Sequence, residues 1–413
     1  MNVWIFNHYA ISPDLPGGTR HYDMAKELIK RGYNVTIFAS SFHYSIYRET
    51  RLLPTEKWKI EDIDGVKFVW IKTPSYQQND WRRIWNMVAF MLRVWQLGRK
   101  LPEVIDEIEK PEVIIGSSVH LLAVLAAYQV AKYHKAKFIM EVRDLWPQTL
   151  IDMGALKENS LITKILRTLE CFLYQRAERI ITLLPWAHEY ILHCGVARKK
   201  IAWIPNGVDL SRFAYVDQDV KRRYLNEFKI LYLGAHGQAN ALDILLEAAK
   251  IIQSKGYQDI LFVFIGDGPE KPRLIETARK LQLNNVKFEN PVKKVEVPRV
   301  IQKADIGVFV LHDLPIYKYG ISLNKLFDYL AGGKPLILVG NPINNVVKET
   351  QCGIAVPSKD PKVLAEAIIN LYRMSPEERQ IMGRRGRAYV EKYHSIPVLA
   401  DKLEKVLQEV VQK

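Results

Sequence analysis

The segment GISLNKLFDYLAGGKPLI, residues 320–337, combines residue types that can bind a phosphate. Its pattern predicts a short helix that Ser322 or Asn324 caps and that Gly332-Gly333 end before an apolar strand. Lys325 then lies in an exposed first turn, where a cation is unfavourable unless an anion is bound nearby. We therefore expect backbone amides and the Lys325 ammonium to hold a phosphate together.

Asp328 lies nearly one helical turn after Lys325. Its carboxylate can accept hydrogen bonds from vicinal hydroxyls, such as those of a ribose. An ordinary amphipathic helix without a ligand fits the same pattern, and the sequence alone leaves this alternative open.

Gly17 and Gly18 indicate a second place for an anion, in the loop between the first predicted strand and the first helix. Glycines at a helix N-terminus let backbone amides approach a phosphate, and the helix dipole favours the anion. The spacing matches neither G-x-G-x-x-G nor a P-loop. A tight turn with Thr19 as the N-cap is the alternative.

The elements that must position these residues follow an α/β pattern, in which short β-branched and aromatic runs alternate with helices. The series restarts after Pro205-Asn206-Gly207, which we interpret as a hinge. We therefore predict two doubly wound domains, residues 1–205 and 206–395, that face a central cleft. The last helix, residues 396–413, can pack on either domain.

Composition narrows the class of protein. The 413 residues are 48% hydrophobic and 25% charged, as in a globular protein, and the formal net charge of +14 points to an anionic partner. Three cysteines without C-x-x-C spacing predict reduced thiols and argue against a zinc site. The first residues lack a signal-peptide pattern, and no apolar run is long enough to span a membrane. We expect a cytoplasmic protein, peripheral at the inner face of the plasma membrane.

Residues 81–100 predict an amphipathic helix with basic residues beside its apolar face. That face comprises Trp81, Ile84, Trp85, Val88, Met91, Leu92 and Trp95. An aromatic face with basic flanks suits the surface of an anionic bilayer. Packing of the same face against the sheet is the alternative.

Two D-x-D triplets, Asp62-Ile63-Asp64 and Asp217-Gln218-Asp219, have the pattern of a divalent-metal site. Asp64-Gly65 predicts a hairpin turn before the strand VKFVWI, and the second triplet lies in a charged stretch. We interpret both triplets as solvated loops.

Four motifs together resemble a known family, and the resemblance covers nearly the whole chain. They are Gly17-Gly18, IPNGVD at 204–209, FIGDGPE at 264–270 and NKLFDYLAGGKPLI at 324–337. These motifs resemble the retaining glycosyltransferases of family 4. RDLWP at 143–147 and YGISLNKLFDYL at 319–330 resemble the L-fucosamine transferase-like subgroup of surface-polysaccharide assembly.

The resemblance implies the GT-B fold, with two Rossmann-like domains and the active site in the cleft between them. It implies transfer of a sugar, with retained configuration, from a nucleotide donor such as a UDP-N-acetylated 6-deoxyhexosamine, and no metal or other cofactor. The acceptor implied is a glycan hydroxyl, on a lipid-linked chain if residues 81–100 bind membrane. A non-catalytic nucleotide- or nucleic-acid-binding protein is the alternative, although no nucleic-acid-binding signature is present.

Individual roles follow from the resemblance. Asp328 occupies the second acidic position of the family's E-x7-E motif and would bind the ribose, while Lys325 would contact the diphosphate. Gly320 replaces the first acidic residue, so backbone amides of residues 320–324 are expected to hold the donor instead. The donor-binding set implied is Gly17, Gly18, Gly234, Gly320, Ile321, Ser322, Asn324, Lys325 and Asp328.

The loop GAHGQAN, residues 234–240, lacks the Arg or Lys that many relatives use for the diphosphate. Lys325 should therefore matter more than in those relatives.

Arg143 and Asp144 end a predicted strand at its carboxyl edge, where open α/β sheets bind ligands. Arg143 is expected to neutralise the leaving phosphate, and Asp144 to orient or deprotonate the acceptor hydroxyl. A structural Arg–Asp ion pair is the alternative. His120 either faces the cleft or caps a helix, and Glu270 either shapes the loop beneath the base or caps a helix.

Overall fold

The computed structural model describes residues 1–78, 80–214, 227–312, 314–357 and 360–412, and it contains two mainly parallel sheets. The first has eight strands in the order β10-β9-β8-β7-β1-β2-β6-β5. These are β1 (Asn2–Phe6), β2 (Asn34–Ser40), β5 (Trp58–Ile63), β6 (Val66–Ile71), β7 (Val113–Ser118), β8 (Lys137–Val142), β9 (Arg179–Thr182) and β10 (Ile201–Trp203). A separate two-stranded ladder pairs β3 (Phe42–His43) with β4 (Arg48–Glu49).

The second sheet has six strands in the order β13-β12-β11-β14-β15-β16. These are β11 (Phe228–Leu233), β12 (Ile260–Ile265), β13 (Val286–Glu289), β14 (Ile306–Val310), β15 (Leu336–Val339) and β16 (Gly353–Val356). All of its strand pairs are parallel, as crossover helices require.

Helices cover both faces of both sheets. They are α1 (Arg20–Lys30), α2 (Trp81–Val104), α3 (Leu121–His134), α4 (Gln148–Asp152), α5 (Leu161–Arg176), α6 (Ala187–Leu192), α7 (Asp243–Ser254), α8 (Lys271–Lys280), α9 (Val297–Gln302), α10 (Asn324–Ala331), α11 (Val346–Thr350), α12 (Pro361–Arg373), α13 (Pro376–Tyr393) and α14 (Ile396–Val411).

Strand periodicity divides the core of the first domain into two layers. Along β1, Trp4 and Phe6 pack with α2, α3 and α5, whereas Val3 and Ile5 pack with α1 and α14. In the second domain, α7, α8 and α12 form one layer and α9, α10, α11 and α13 form the other. Helices on both faces of a parallel sheet make two doubly wound, Rossmann-like domains.

The last helix, α14, crosses back to the first domain. Leu399, Leu403 and Leu407 are buried in the core layer that contains α1, and Arg31 of α1 forms an ion pair with Glu404 at 2.8 Å. The last helix, which could have packed on either domain, therefore packs on the N-terminal domain. The chain crosses between the two domains twice.

The hairpin between β5 and β6 forms where Asp64-Gly65 predicted a turn, with φ of 54° at Asp64. Asp62 accepts a hydrogen bond from the Gly65 amide, and Asp64 accepts from Tyr22 and Lys26. The first D-x-D triplet thus stabilises a turn. The second, Asp217-Gln218-Asp219, lies outside the described residues.

The prediction that all cysteines are reduced is wrong for two of them. Cys171 of α5 and Cys194, just after α6, form a disulfide, and Cys352 is free and buried. The odd number and the absence of C-x-x-C spacing did not exclude one pair, because helices close in space can bring together cysteines 23 residues apart.

Candidate functional site

A cavity of about 210 Å³ lies between the two domains. Its walls include the loops that follow β1, β11, β12 and β13 and the start of α10. All of these segments lie at the carboxyl edges of the two sheets. Six residues of the predicted donor-binding set line it, namely Gly17, Gly18, Gly234, Asn324, Lys325 and Asp328. The sequence-predicted segments therefore meet at one site.

Lys325 lies in the first turn of α10, as predicted, but its side chain is half-buried rather than exposed. Nζ donates to the Tyr232 hydroxyl at 3.1 Å and to Asn240 Oδ1 at 2.7 Å. Both partners are neutral, and burial lowers the pKa of Lys325 to about 7. Because Asn240 belongs to the loop that lacks Arg and Lys, Lys325 places a cation beside that loop from another element.

Close backbone approach explains the glycine at position 18. A side chain there would collide with the amide group of Asn324, so Gly18 lets the N-terminal domain meet the start of α10. Gly234 lies on the opposite wall, against the Lys325 side chain. The Leu326 amide donates to the Leu323 carbonyl at 3.1 Å, whereas the amides of Asn324 and Lys325 precede the first intrahelical hydrogen bonds and can donate to an anion.

Asp328 has a partner that the local sequence pattern does not predict. Lys294 Nζ donates to both carboxylate oxygens, at 2.7 and 2.6 Å, and both side chains are buried. The Lys294 amide also donates to the Leu15 carbonyl of the other domain at 3.1 Å. Nothing in the stretch VKKVEVP distinguishes Lys294 from the exposed Lys293, so its role depends on tertiary structure.

Removing Lys294 should destabilise the protein, because Asp328 would keep a buried charge without a partner. We expect Lys294→Met to lower the free energy of unfolding by about 3 kcal/mol. Lys293→Met is the matched control and should change it by less than about 0.5 kcal/mol. Urea unfolding measures both, and adding Asp328→Leu to Lys294→Met should recover most of the loss. A loss unchanged in the double variant would contradict this assignment.

The segment before α10 binds the hinge and not the cavity. Ser322 Oγ accepts from the Asn206 amide at 2.7 Å, and the Asn206 side chain donates to the Ser322 carbonyl. The Gly320 amide donates to Tyr317, and the Ile321 amide donates to Asn344 at 2.8 Å.

Three predictions about this segment are therefore corrected. The amides of Gly320 and Ile321 have partners within the protein, so they are not open donors. Ser322 is not at the cavity wall. Neither Ser322 nor Asn324 caps α10 through its side chain, because the Ser322 hydroxyl is engaged at the hinge and Asn324 is already the first helical residue.

Arg143 and Asp144 follow the end of β8, on the cleft side of the first domain. The charge of Arg143 acts on the neighbouring Asp144 carboxylate, so the functional and the structural interpretations of this pair both remain predictions. Asp144 is accessible to solvent, yet desolvation in the cleft raises the pKa of its carboxyl group, and the charge of Arg143 opposes that rise. Tyr317 of the second domain faces it, and burial together with the charge of Asp144 raises the pKa of Tyr317 to about 12.

His120 and Glu270 do not reach the cavity. His120 is buried, where Nδ1 accepts from the Ala123 amide at 3.2 Å and Nε2 lies 2.7 Å from His8 Nδ1. It is therefore the N-cap of α3, the second of the two roles considered. Glu270 stands at the N-cap position of α8 without a side-chain cap, and its carboxylate pairs with Arg273 at 2.7 Å.

A buried network behind Gly17-Gly18 connects the first domain to the hinge. Arg20 donates to Glu141 at 2.9 Å and to the carbonyls of Ile204 and Pro205. Burial opposes ionisation of Glu141, but Arg20 and His21 hold its pKa well below the usual range. Thr19 occupies the N-cap position of α1, as the alternative predicted. Its hydroxyl donates to Asp23 and does not cap the helix.

Comparisons with known proteins assign this architecture. The family described as Glycosyltransferase Family 4 matches residues 17–212, and the family described as Glycosyl transferases group 1 matches residues 227–374. The chain belongs to the GT-B glycosyltransferases. The glycosyltransferase is 22% identical over 364 residues to the Escherichia coli K12 protein named as colanic acid biosynthesis glycosyl transferase WcaI, which covers 84% of this chain and 85% of that one.

Solved structures of the same fold cover nearly the whole glycosyltransferase. Sucrose-phosphate synthase from Thermosynechococcus elongatus has a TM-score of 0.76 at 15% identity, over 100% of this chain and 99% of that chain. Anabaena HepE in complex with UDP and glucose has a TM-score of 0.69 at 13% identity, over 98% and 99% of the two chains. The GT-B prediction is thereby confirmed.

Proposed function

We propose that this glycosyltransferase moves a sugar from a UDP-sugar to a hydroxyl of a growing cell-surface glycan, with retained configuration and without a metal ion. The observation that carries the proposal is the Lys325 ammonium, which lies at the wall of the interdomain cavity and whose two hydrogen-bond partners in the described part of the chain, Tyr232 and Asn240, are neutral. A diphosphate is the anion that fits between this cation and the first-turn amides of α10.

The chain's own residues would act on both substrates. Lys325 and the α10 amides would stabilise the charge that develops on the leaving phosphate, with Arg143 contributing from the other domain. Asp144 would orient the acceptor hydroxyl or accept its proton, and the departing phosphate is a second acceptor for that proton. The acceptor would attack on the face from which the nucleotide leaves, so no protein nucleophile is needed.

The donor end of the cavity offers separate contacts for the nucleoside. Asp328 would accept hydrogen bonds from the ribose hydroxyls, while Pro291, Val292 and Val297 provide an apolar wall for the base. We propose an N-acetylated 6-deoxyhexosamine as the sugar, because the segment 319–330 resembles the L-fucosamine transferase-like subgroup.

We propose a lipid-linked acceptor at the inner face of the plasma membrane. The relative WcaI is named for colanic acid biosynthesis. No helix among the described residues is long and apolar enough to cross a membrane. The exposed side of α2 supports contact with the surface of a bilayer instead, since Trp81 is 68% exposed.

Thermal unfolding in the presence of UDP, GDP, ADP or single-stranded DNA tests the donor class. UDP at about 100 times its dissociation constant should add about 2.7 kcal/mol of stability, with smaller effects from GDP and ADP. Stabilisation by DNA alone would favour the non-catalytic alternative. A screen of UDP-sugars with lipid-extracted acceptors then measures sugar transfer. NMR of the product reports its anomeric configuration.

A further inference from the structure

Two helices of the N-terminal domain expose apolar side chains to solvent. The α2 cluster consists of Trp81, Ile84, Trp85 and Leu92, and the α5 cluster consists of Leu161, Ile162 and Ile165. Leu161 is 73% exposed, and every member of both clusters is exposed by more than a third. The opposite side of each helix is buried, through Phe90 and Val94 of α2 and Thr163 and Tyr174 of α5. Packing on the sheet therefore uses other residues and does not account for either cluster.

Both clusters lie at the cleft end of one helical layer. In a parallel sheet, each crossover helix begins at the carboxyl edge of the strands, and the clusters are concentrated at the starts of α2 and α5. Both helices pack against α3, which lies between them in the same core layer. Neighbouring helix axes are about 10 Å apart, so the clusters are separated by about 20 Å.

An apolar groove adjoins the α2 cluster. Its volume is about 370 Å³, and it runs between α2 and α3. Its walls are Met91, Leu92, Trp95, Leu125 and Ala126, with Gln129 as the polar member. Apolar surface is therefore exposed in the groove between α2 and α3 as well as at the starts of α2 and α5.

Basic side chains surround the clusters. Arg82 and Arg93 are exposed on α2, and Lys157 and Lys164 are exposed around the start of α5. The nearby Glu158 pairs with Arg167 at 2.6 Å, so it does not offset these lysines. The Arg82 guanidinium also lies 5.7 Å from the Trp81 ring. Apolar side chains with an excess of positive charge match the interface of an anionic bilayer.

We propose that the α2 and α5 clusters form one docking surface for an anionic lipid bilayer, with α5 as a second point of insertion. Two insertion points about 20 Å apart fix the orientation of the domain, whereas one helix alone would let it pivot. The docked domain would turn the carboxyl edge of its sheet, with Arg143 and Asp144, toward the headgroups. This inference deepens the proposed function and rests on it for the identity of the acceptor.

Vesicle flotation of the full-length protein tests the surface without any sugar transfer. We expect the protein to float with vesicles containing phosphatidylglycerol and to stay behind with pure phosphatidylcholine. Leu161→Ser with Ile165→Ser, and separately Trp81→Ser with Trp85→Ser, should each lower partitioning by about tenfold. Lys157→Glu with Lys164→Glu should weaken binding only to the anionic vesicles. The matched control, Ile343→Ser with Ile381→Ser on the other domain, should bind as wild type does.

Three outcomes would overturn the proposal. If the α5-cluster variant binds vesicles as well as wild type does, α5 is not part of the docking surface. If wild type binds both vesicle types equally, the basic side chains do not contribute to docking. A dimer in lipid-free solution that the α5-cluster variant converts to a monomer, measured by light scattering, would assign the surface to a second copy of the chain. UDP-induced thermal stabilisation is measured in the same variants. It stays at the wild-type value if only the docking proposal is wrong. It is absent in the wild-type protein if the proposed function is wrong.

Discussion

Lys325→Ala should weaken UDP binding by about 30-fold, because the cavity would lose the charge-assisted hydrogen bond to the diphosphate. Isothermal titration calorimetry with UDP measures the change. The loss should be smaller for uridine, which has no phosphate. Lys303→Ala is the matched control, since Lys303 is exposed on the same domain and away from the cavity.

The pH dependence of UDP binding gives an independent test of the same residue. Burial lowers the pKa of Lys325 to about 7 in the ligand-free protein, and a bound diphosphate favours the protonated amine. Affinity should therefore fall as the pH rises above about 7, with one proton taken up on binding. The Lys325→Ala variant should lose this proton uptake. Equal affinities of the variant and wild type at all pH values would remove Lys325 from the site.

Asp144→Asn should lower kcat by about 100-fold while leaving the affinity for UDP unchanged, because the proposed function assigns Asp144 to the acceptor hydroxyl and not to the donor. Steady-state transfer and UDP calorimetry measure the two quantities. Asp152→Asn, in the helix that follows, is the matched control. An equal loss of UDP affinity would mean that Asp144 contributes to the donor site or to domain closure instead.

The pH profile separates a proton acceptor from a residue that only orients the acceptor. The cleft walls raise the pKa of Asp144, and a base must be ionised to work. The wild-type rate should fall as the pH drops through that raised pKa, and the Asp144→Asn variant should lack this acidic limb. A limb that persists unchanged in the variant belongs to another group.

The fold could be predicted from sequence because each parallel strand is a short apolar run between helices. The predicted strand VKFVWI is β6 (Val66–Ile71), and the apolar strand predicted after Gly332-Gly333 is β15 (Leu336–Val339). The edge strand β5 was not predicted, because the polar residues on its exposed side interrupt the apolar run that marks the other strands. The position of α14 was left open because an amphipathic helix does not specify which domain it covers.

The site could be predicted only where local sequence determines the geometry. Gly17-Gly18, Lys325 and Asp328 follow strand ends or begin a helix, and parallel topology brings such positions to one edge. Lys294 reaches Asp328 from 34 residues away, and Ser322 is held by Asn206 from 116 residues away. Contacts at such separations depend on how the elements of the second domain pack together, which local pattern does not encode.

A crystal structure of the protein with UDP tests the central claim most directly. We expect the diphosphate within hydrogen-bond distance of Lys325 Nζ and the α10 amides, with the ribose hydroxyls on Asp328. UDP bound elsewhere, or bound with its phosphates away from Lys325, would contradict it.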